Sequence, residues 1–348
     1  MRRKIVAAVL VALCAGSGAA AADGTDIDFS GKMYFDVTHL DQNNSDTGKT
    51  DATGFGIDVK RFYLTVKPKF NDVWSANLTT DFKYVNGDGI TNLYVKKAYV
   101  QGKFSKAAVL RIGSADMPWI PFVESYYGYR YVENTLVDRL KFGTSADWGL
   151  HLGGALGASG KLNYAVSAVN GGGYKHPERS KGMDIGGRVG WAPVEGMIVA
   201  VGAYSGKLGK NTQSVDTYHT ANRADVMVAW AKNGLRVGGE YFQANNWTTV
   251  LNPLSDKADG YSLWASQEFA GKYAVFARYD SAKPSKDLDN NAKDTYYNLG
   301  LQYQVTKGFK LAAVYKYDKR ESTVTSPMPE HVGNVRSNEI GVWGEVKF

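Results

Sequence analysis

Apolar and polar residues alternate with a period of two through segment after segment of this chain, which confines it to strands whose two faces meet different surroundings. In the first segment Ile27, Phe29, Met33, Phe35 and Val37 occupy one face, and Asp28, Ser30, Lys32, Asp36 and Thr38 the other. A helix would scatter both sets around its circumference. The pattern returns in Trp74, Ala76, Leu78, Phe82 and Tyr84, in Ala224, Val226, Val228 and Trp230, and in Tyr297, Leu299, Leu301, Tyr303 and Val305. Sixteen such segments fall at roughly 25–40, 54–68, 74–84, 92–104, 108–113, 144–156, 161–169, 182–191, 197–205, 221–231, 235–245, 260–269, 273–280, 294–305, 309–320 and 336–348. Lys60-Arg61 and Lys96-Lys97 interrupt the alternation, and a bulge is expected at each.

The connections alternate too. Asn71-Asp72, Ser105-Lys106, Ala158-Ser159-Gly160, Lys232-Asn233-Gly234, Gly271-Lys272 and Lys307-Gly308 are tight turns, while long polar stretches such as 41–53, 170–181, 206–220 and 246–259 separate the resulting hairpins. A β-sandwich or propeller does not sort all its long loops to one end, and no blade-like repeat is present. The expected fold is therefore all-β: a 16-stranded antiparallel transmembrane β-barrel with short periplasmic turns, long extracellular loops and outer-membrane lipid around it.

Arg2, Arg3 and Lys4, followed by an apolar run from Ile5 to Ala15 and small residues to Ala22, predict a signal peptide over 1–22 and a barrel domain over 23–348. The run is too short for a spanning helix. Cys14 is the sole cysteine and lies within that leader, so no disulfide or thiolate metal site is expected afterwards. Without the leader the formal charge falls from +7 to +4, with both signs interleaved along the chain, which argues against nucleic acid as a partner.

Ile340, Val342, Gly344, Val346 and the terminal Phe348 resemble the carboxy-terminal signature by which bacterial outer-membrane barrels are recognised for assembly. Val59 to Phe82, with Lys60-Arg61-Phe62-Tyr63-Leu64 and Asn71-Asp72-Val73-Trp74, resembles the early hairpin of the phosphate-selective porin O/P family. Lys97-Ala98-Tyr99-Val100 and Leu110-Arg111-Ile112-Gly113 are further similar points. The resemblance implies a homotrimer of 16-stranded barrels and passive diffusion of small hydrophilic solutes and ions, with an anion- or phosphate-selective channel as the alternative. An adhesive or structural barrel is the third reading.

A barrel of about sixteen strands is too wide for side chains to fill, so inward positions should line water. These include Lys32, Arg61, Lys97, Arg111, Asp147, Arg188, Arg223, Arg236, Glu240, Arg278 and Lys316. Arg223 with Asp225, Arg236 with Glu240 and Arg278 with Asp280 are expected local pairs, giving a wall of mixed sign and no clear phosphate filter. The longest loop, 114–143, is dense in aromatic residues and should fold inward as a constriction, with Trp119, Glu124, Tyr126, Tyr127, Tyr129, Arg130 and Tyr131. Its tyrosines are expected nearest the wall bearing Arg61, Lys97 and Arg111, with Glu124 or Glu133 facing those cations.

No enzyme chemistry is expected. His39, His151, His176, His219 and His331 form no metal-spaced pair and flank no serine elbow, and Leu208 follows Gly206-Lys207 where a phosphate loop needs a hydroxyl. His151 and Asp147, four residues apart on a strand, are separated by about 13 Å along it. No cofactor or metal is expected.

Overall fold

The computed structural model describes residues 26–44, 49–84, 91–157, 159–323 and 334–348; the expected leader lies outside them. Sixteen antiparallel strands, β1 to β16, run over Asp26–Asn44, Lys49–Lys69, Trp74–Tyr84, Thr91–Lys103, Val109–Asp116, Ala146–Leu156, Leu162–Val169, Asp184–Trp191, Met197–Gly206, Ala221–Lys232, Leu235–Asn245, Lys257–Phe269, Tyr273–Lys283, Lys293–Thr306, Phe309–Glu321 and Val335–Lys347. Each pairs with its sequence neighbours, and β1 pairs with β16, from Lys32↔Lys347 to Asn44↔Val335, closing the barrel. Closure leaves no open sheet edge.

The alternation sets the two faces. In β10 Ala221, Arg223, Asp225, Met227 and Ala229 are buried while Val226 and Val228 are exposed, and in β14 Leu299 and Leu301 are exposed while Asn298 and Gln302 are buried. The exposed face is thus an apolar belt on the outside of the barrel. Tyrosines border it in register: Tyr241↔Tyr261, Tyr279↔Tyr297 and Tyr297↔Tyr317 toward the long loops, and Phe269↔Tyr273 and Tyr273↔Tyr303 toward the short turns. Such girdles mark the two surfaces of a bilayer.

Both expected bulges are present. Tyr34 pairs with Arg61 and Phe35 with Val59, leaving Lys60 as the extra residue; Thr79 pairs with Lys97 and Thr80 with Val95, leaving Lys96. Two further register shifts, at Asp51 and Val305, fall where the sequence gives no sign of them. At the turn between β10 and β11, Asn233 and Gly234 both take positive φ, 53° and 76°, the two-residue geometry that suits the strand twist. Several strands outrun the expected segments: β2 begins at Lys49 and β12 at Lys257. Beyond the belt neither face need be apolar, so alternation fades before the pairing does.

Candidate functional site

Between β5 and β6 the chain leaves the wall and turns into the barrel. Its first helix, α1 (Ile120–Tyr127), carries Pro121 in its first turn and ends on Gly128, whose φ of 83° stops the helix. Ile120, Val123 and Tyr127, three and four residues apart, form its buried stripe. A single helical turn, α2 (Leu136–Arg139), follows.

The largest apolar core among the described residues lies inside the barrel, between this segment and the wall. Trp119, Ile120, Val123, Tyr127, Leu136, Val137 and Phe142 pack with Met227, Phe242, Trp264, Phe276 and Trp343. Burial of large side chains contributes about 1.5 to 3 kcal/mol each, so the segment is a fixed part of the barrel. Tyr129 stacks on Phe276 at 4.0 Å, and Gly202 leaves room for Trp119, since a Cβ there would lie 2.6 Å from the indole.

Polar anchors reinforce the packing. Glu240 accepts hydrogen bonds from Trp119 Nε1 at 3.2 Å and Leu136 N at 3.1 Å, tying both helices to β11. Arg236 donates to the carbonyls of Ser125 and Tyr126, Arg278 to that of Asn134, Arg223 to that of Phe142, and Arg188 to that of Pro118. Tyr131 donates to Gln302 at 3.0 Å, and Glu133 pairs with Lys316 at 3.4 Å. Arg139 enters a nest of three carboxylates, Asp280, Asp294 and Asp318.

These contacts correct several sequence expectations. Lys316, Asp147, Arg223, Glu240 and Arg278 were expected to line water but are buried, at 7%, 0%, 7%, 4% and 3% exposure. The last three hold the segment, while the Asp147 carboxylate accepts the N–H groups of Trp148 and Gly171. Arg223–Asp225 and Arg278–Asp280 pair at 2.9 Å and 2.6 Å, but Arg236 and Glu240 each bind the segment instead of one another. The tyrosines also lie away from Lys97 and Arg111: Tyr127 and Tyr129 pack on Trp264 and Phe276 of β12 and β13, and Tyr131 reaches Gln302 and Lys310 of β14 and β15 and the Tyr34 ring of β1. Lys97 pairs with Asp116 at 2.7 Å, and Arg111 binds Gln101 at 2.8 Å beside the Tyr99 ring. His151 reaches the backbone carbonyl of Asp147 at 3.1 Å, not its carboxylate; His331 lies outside the described residues.

The free face of the segment looks across a gap to β1–β4. On it Arg130 pairs with Glu124 at 2.6 Å and Asp138 at 3.5 Å, whereas Tyr126 lies on the β8 side, against Phe122, whose ring carries the Arg188 guanidinium. On the wall opposite, Arg61 binds Asp81 and Tyr94, Lys32 lies over the Tyr34 ring, and Lys96 donates to Tyr63 at 3.2 Å. Glu124 is within electrostatic range of Lys32 and Lys96, and Arg130 of Arg61 and Lys96. A cleft of about 400 Å³ lies between the segment and strands β1, β2, β15 and β16, with Tyr34, Lys60, Arg61, Arg130, Glu133 and Lys316 among its lining. Lys96 escaped the sequence reading as a lining residue, although the lysine doublet that marked its bulge was the available signal. Among the described residues no group of three or more His, Cys, Asp or Glu could hold a metal.

A family described as Gram-negative porin matches residues 7–323. Among solved structures, the outer membrane channel DcaP of Acinetobacter baumannii aligns with TM-score 0.67 and 12% identity over 95% of this chain and 99% of the other. The anion-selective porin from Comamonas acidovorans gives 0.63 and 14% over 93% and 100%. OmpT of Vibrio cholerae in its trimer form gives 0.59 and 15% over 94% and 100%. At these identities the structures establish a shared fold. Among curated proteins no relative matches the sequence.

Proposed function

The chain belongs to the Gram-negative porin family, outer-membrane β-barrel channels for passive diffusion, and on that premise we propose that residues 117–145 form its constriction and that the channel mildly favours small anions. The observation that carries the anion preference is an asymmetry in how the inward charges are used. Lys32, Lys96, Arg111, Arg188 and Arg236 are partly exposed and have no carboxylate within ion-pair distance among the described residues. Of the inward carboxylates that lack a cation among the described residues, Asp147, Asp184 and Glu240 are buried at 0%, 2% and 4% exposure and accept hydrogen bonds from neighbouring groups, and only Asp28 and Glu268, near the short-turn ends of β1 and β12, are open to water. Water and solutes therefore meet more positive than negative charge.

In this reading Lys32, Arg61, Lys97, Arg111, Arg188, Arg236 and Lys316 line or border the lumen, and Glu124, Tyr126 and Arg130 form the moving solute's contact on the segment. A leader over 1–22 directs export, the working unit is a homotrimer, and the protein is a channel and not an enzyme. The trimer rests on the family and on the trimer form of Vibrio cholerae OmpT. A phosphate-selective channel, suggested by the resemblance of Val59 to Phe82, is the narrower reading, and the unpaired Lys32 and Lys96 favour it.

Single channels in planar bilayers under a salt gradient separate these readings. A reversal potential displaced modestly toward the anion limit supports the general channel. A value near the limit for an ideal anion filter supports the phosphate reading, and a cation preference overturns both.

A further inference from the structure

A second cavity, of about 190 Å³, opens at the long-loop end between the two stems of the inserted segment and β8–β10. Its apolar side is formed by Met117, Leu208 and the edge-packed pair Tyr204 and Trp247, whose rings lie 5.1 Å apart. Arg223 and Lys141 also line it, and no carboxylate does. Arg223 is 7% exposed; its Nε binds both oxygens of Asp225 and its Nη1 the carbonyl of Phe142, while Nη2 has no partner among the described residues.

The lining selects a ligand class. A saccharide needs uncommitted hydroxyl or carboxylate partners, but Thr144 and Tyr204 already donate to Ala146 and Asp184. An inorganic anion would leave the apolar side unused. A cavity of about 150 Å³ suffices for benzene, so a single substituted ring matches the available volume. We propose that the cavity is a subsite at the channel mouth for a small aromatic monocarboxylate, its ring against Tyr204, Trp247 and Met117 and its carboxylate on the free edge of Arg223.

The subsite's part in permeation rests on the channel reading, but its occupancy does not. Equilibrium dialysis of the detergent-solubilised full chain with radiolabelled benzoate should give saturable binding, with acetate and benzyl alcohol competing at least about tenfold more weakly. Gly186 lines the cavity, and a Cβ there would lie 3.3 Å from Met117 and 3.5 Å from Tyr204. Gly186→Leu should therefore fill the space and abolish benzoate binding while conductance in potassium chloride stays unchanged. Trp247→Leu should weaken binding by about tenfold, and carries the test if Gly186→Leu does not fold. Acetate competing as well as benzoate, or full binding retained in the folded variant, overturns the subsite. Benzoate binding without conductance would sink the channel reading alone; conductance without benzoate binding would sink the subsite alone.

Discussion

Arg139, on the segment that folds into the barrel, donates its Nε to Asp280 on the far wall at 3.1 Å, with both side chains almost fully buried, at 5% and 0% exposure. Asp294 and Asp318 complete the nest, and Arg278 and Arg320 balance it from the wall. Removing one partner from a buried pair costs about 3 to 5 kcal/mol, because the other charge is left behind. Arg139→Leu should accordingly loosen the segment while the barrel stays closed. Faster amide exchange over 136–142 and noisier open-channel current are the expected signs; exchange as slow as in the parent would show that the nest does not hold the segment.

Leu301 is half exposed on the outer belt, whereas its neighbour Gln302 is 8% exposed and accepts the Tyr131 hydroxyl. Leu301→Arg should impair folding into lipid by about 2 to 4 kcal/mol if the residue sits near the bilayer middle. From alternation alone Gln302→Arg would look harmless. The structure changes that expectation: a cation there loses the bond to Tyr131, whose ring lies 4.5 Å from the Lys310 ammonium. Gln302→Arg should insert normally yet alter conductance, and refolding yields with single-channel records distinguish the two outcomes.

How much of this was legible in the sequence depended on whether a local period governed the feature. Strand number and facing follow from alternation, and Lys60 and Lys96 announced their bulges by breaking it. Arg223–Asp225 and Arg278–Asp280 were legible because residues two apart share a strand face. Arg236 and Glu240, four apart, are separated by about 13 Å along a strand, and each found a partner on the inserted segment. The segment has no period relating it to a particular wall. Its inward fold could be read from aromatic density, but not that Tyr127 and Tyr129 would pack on β12 and β13, nor that Arg139 would enter an acidic nest.

Glu133 gives the segment an acid limit. Burial pushes its carboxyl upward, but Lys316, the Asn134 N–H, Arg139 and Arg278 more than offset this and bring its pKa from 4.5 to about 2. A depressed carboxylate stabilises the folded arrangement above its unfolded value and loses that contribution as pH falls through the folded value. Docking should therefore hold at pH 5, weaken below 4.5 and lose this contribution near 2. Glu133→Gln should show looser docking already at pH 7 and a flatter response over that window. Conductance noise recorded across the range checks both; a parent channel unchanged down to pH 2 would remove Glu133 from the account.

Lys96 offers the sharpest test of the anion preference. It is the extra residue of the β4 bulge, its ammonium lies 4.7 Å from the Tyr63 ring centre, and both Glu124 and Arg130 are within electrostatic range. Lys96→Met keeps the stem that packs on the tyrosines and removes one charge from the wall facing the segment. Low-dielectric walls focus that charge on passing ions, so the anion-to-cation permeability ratio should fall by about twofold. Lys96→Glu should carry it past unity. Lys69→Met serves as the control, because Lys69 lies at the short-turn end, paired with Asp72 at 2.9 Å. Reversal potentials in a salt gradient measure all three. If Lys96→Met leaves the ratio unchanged, or Lys69→Met lowers it equally, selectivity is not set in the gap between the segment and β1–β4.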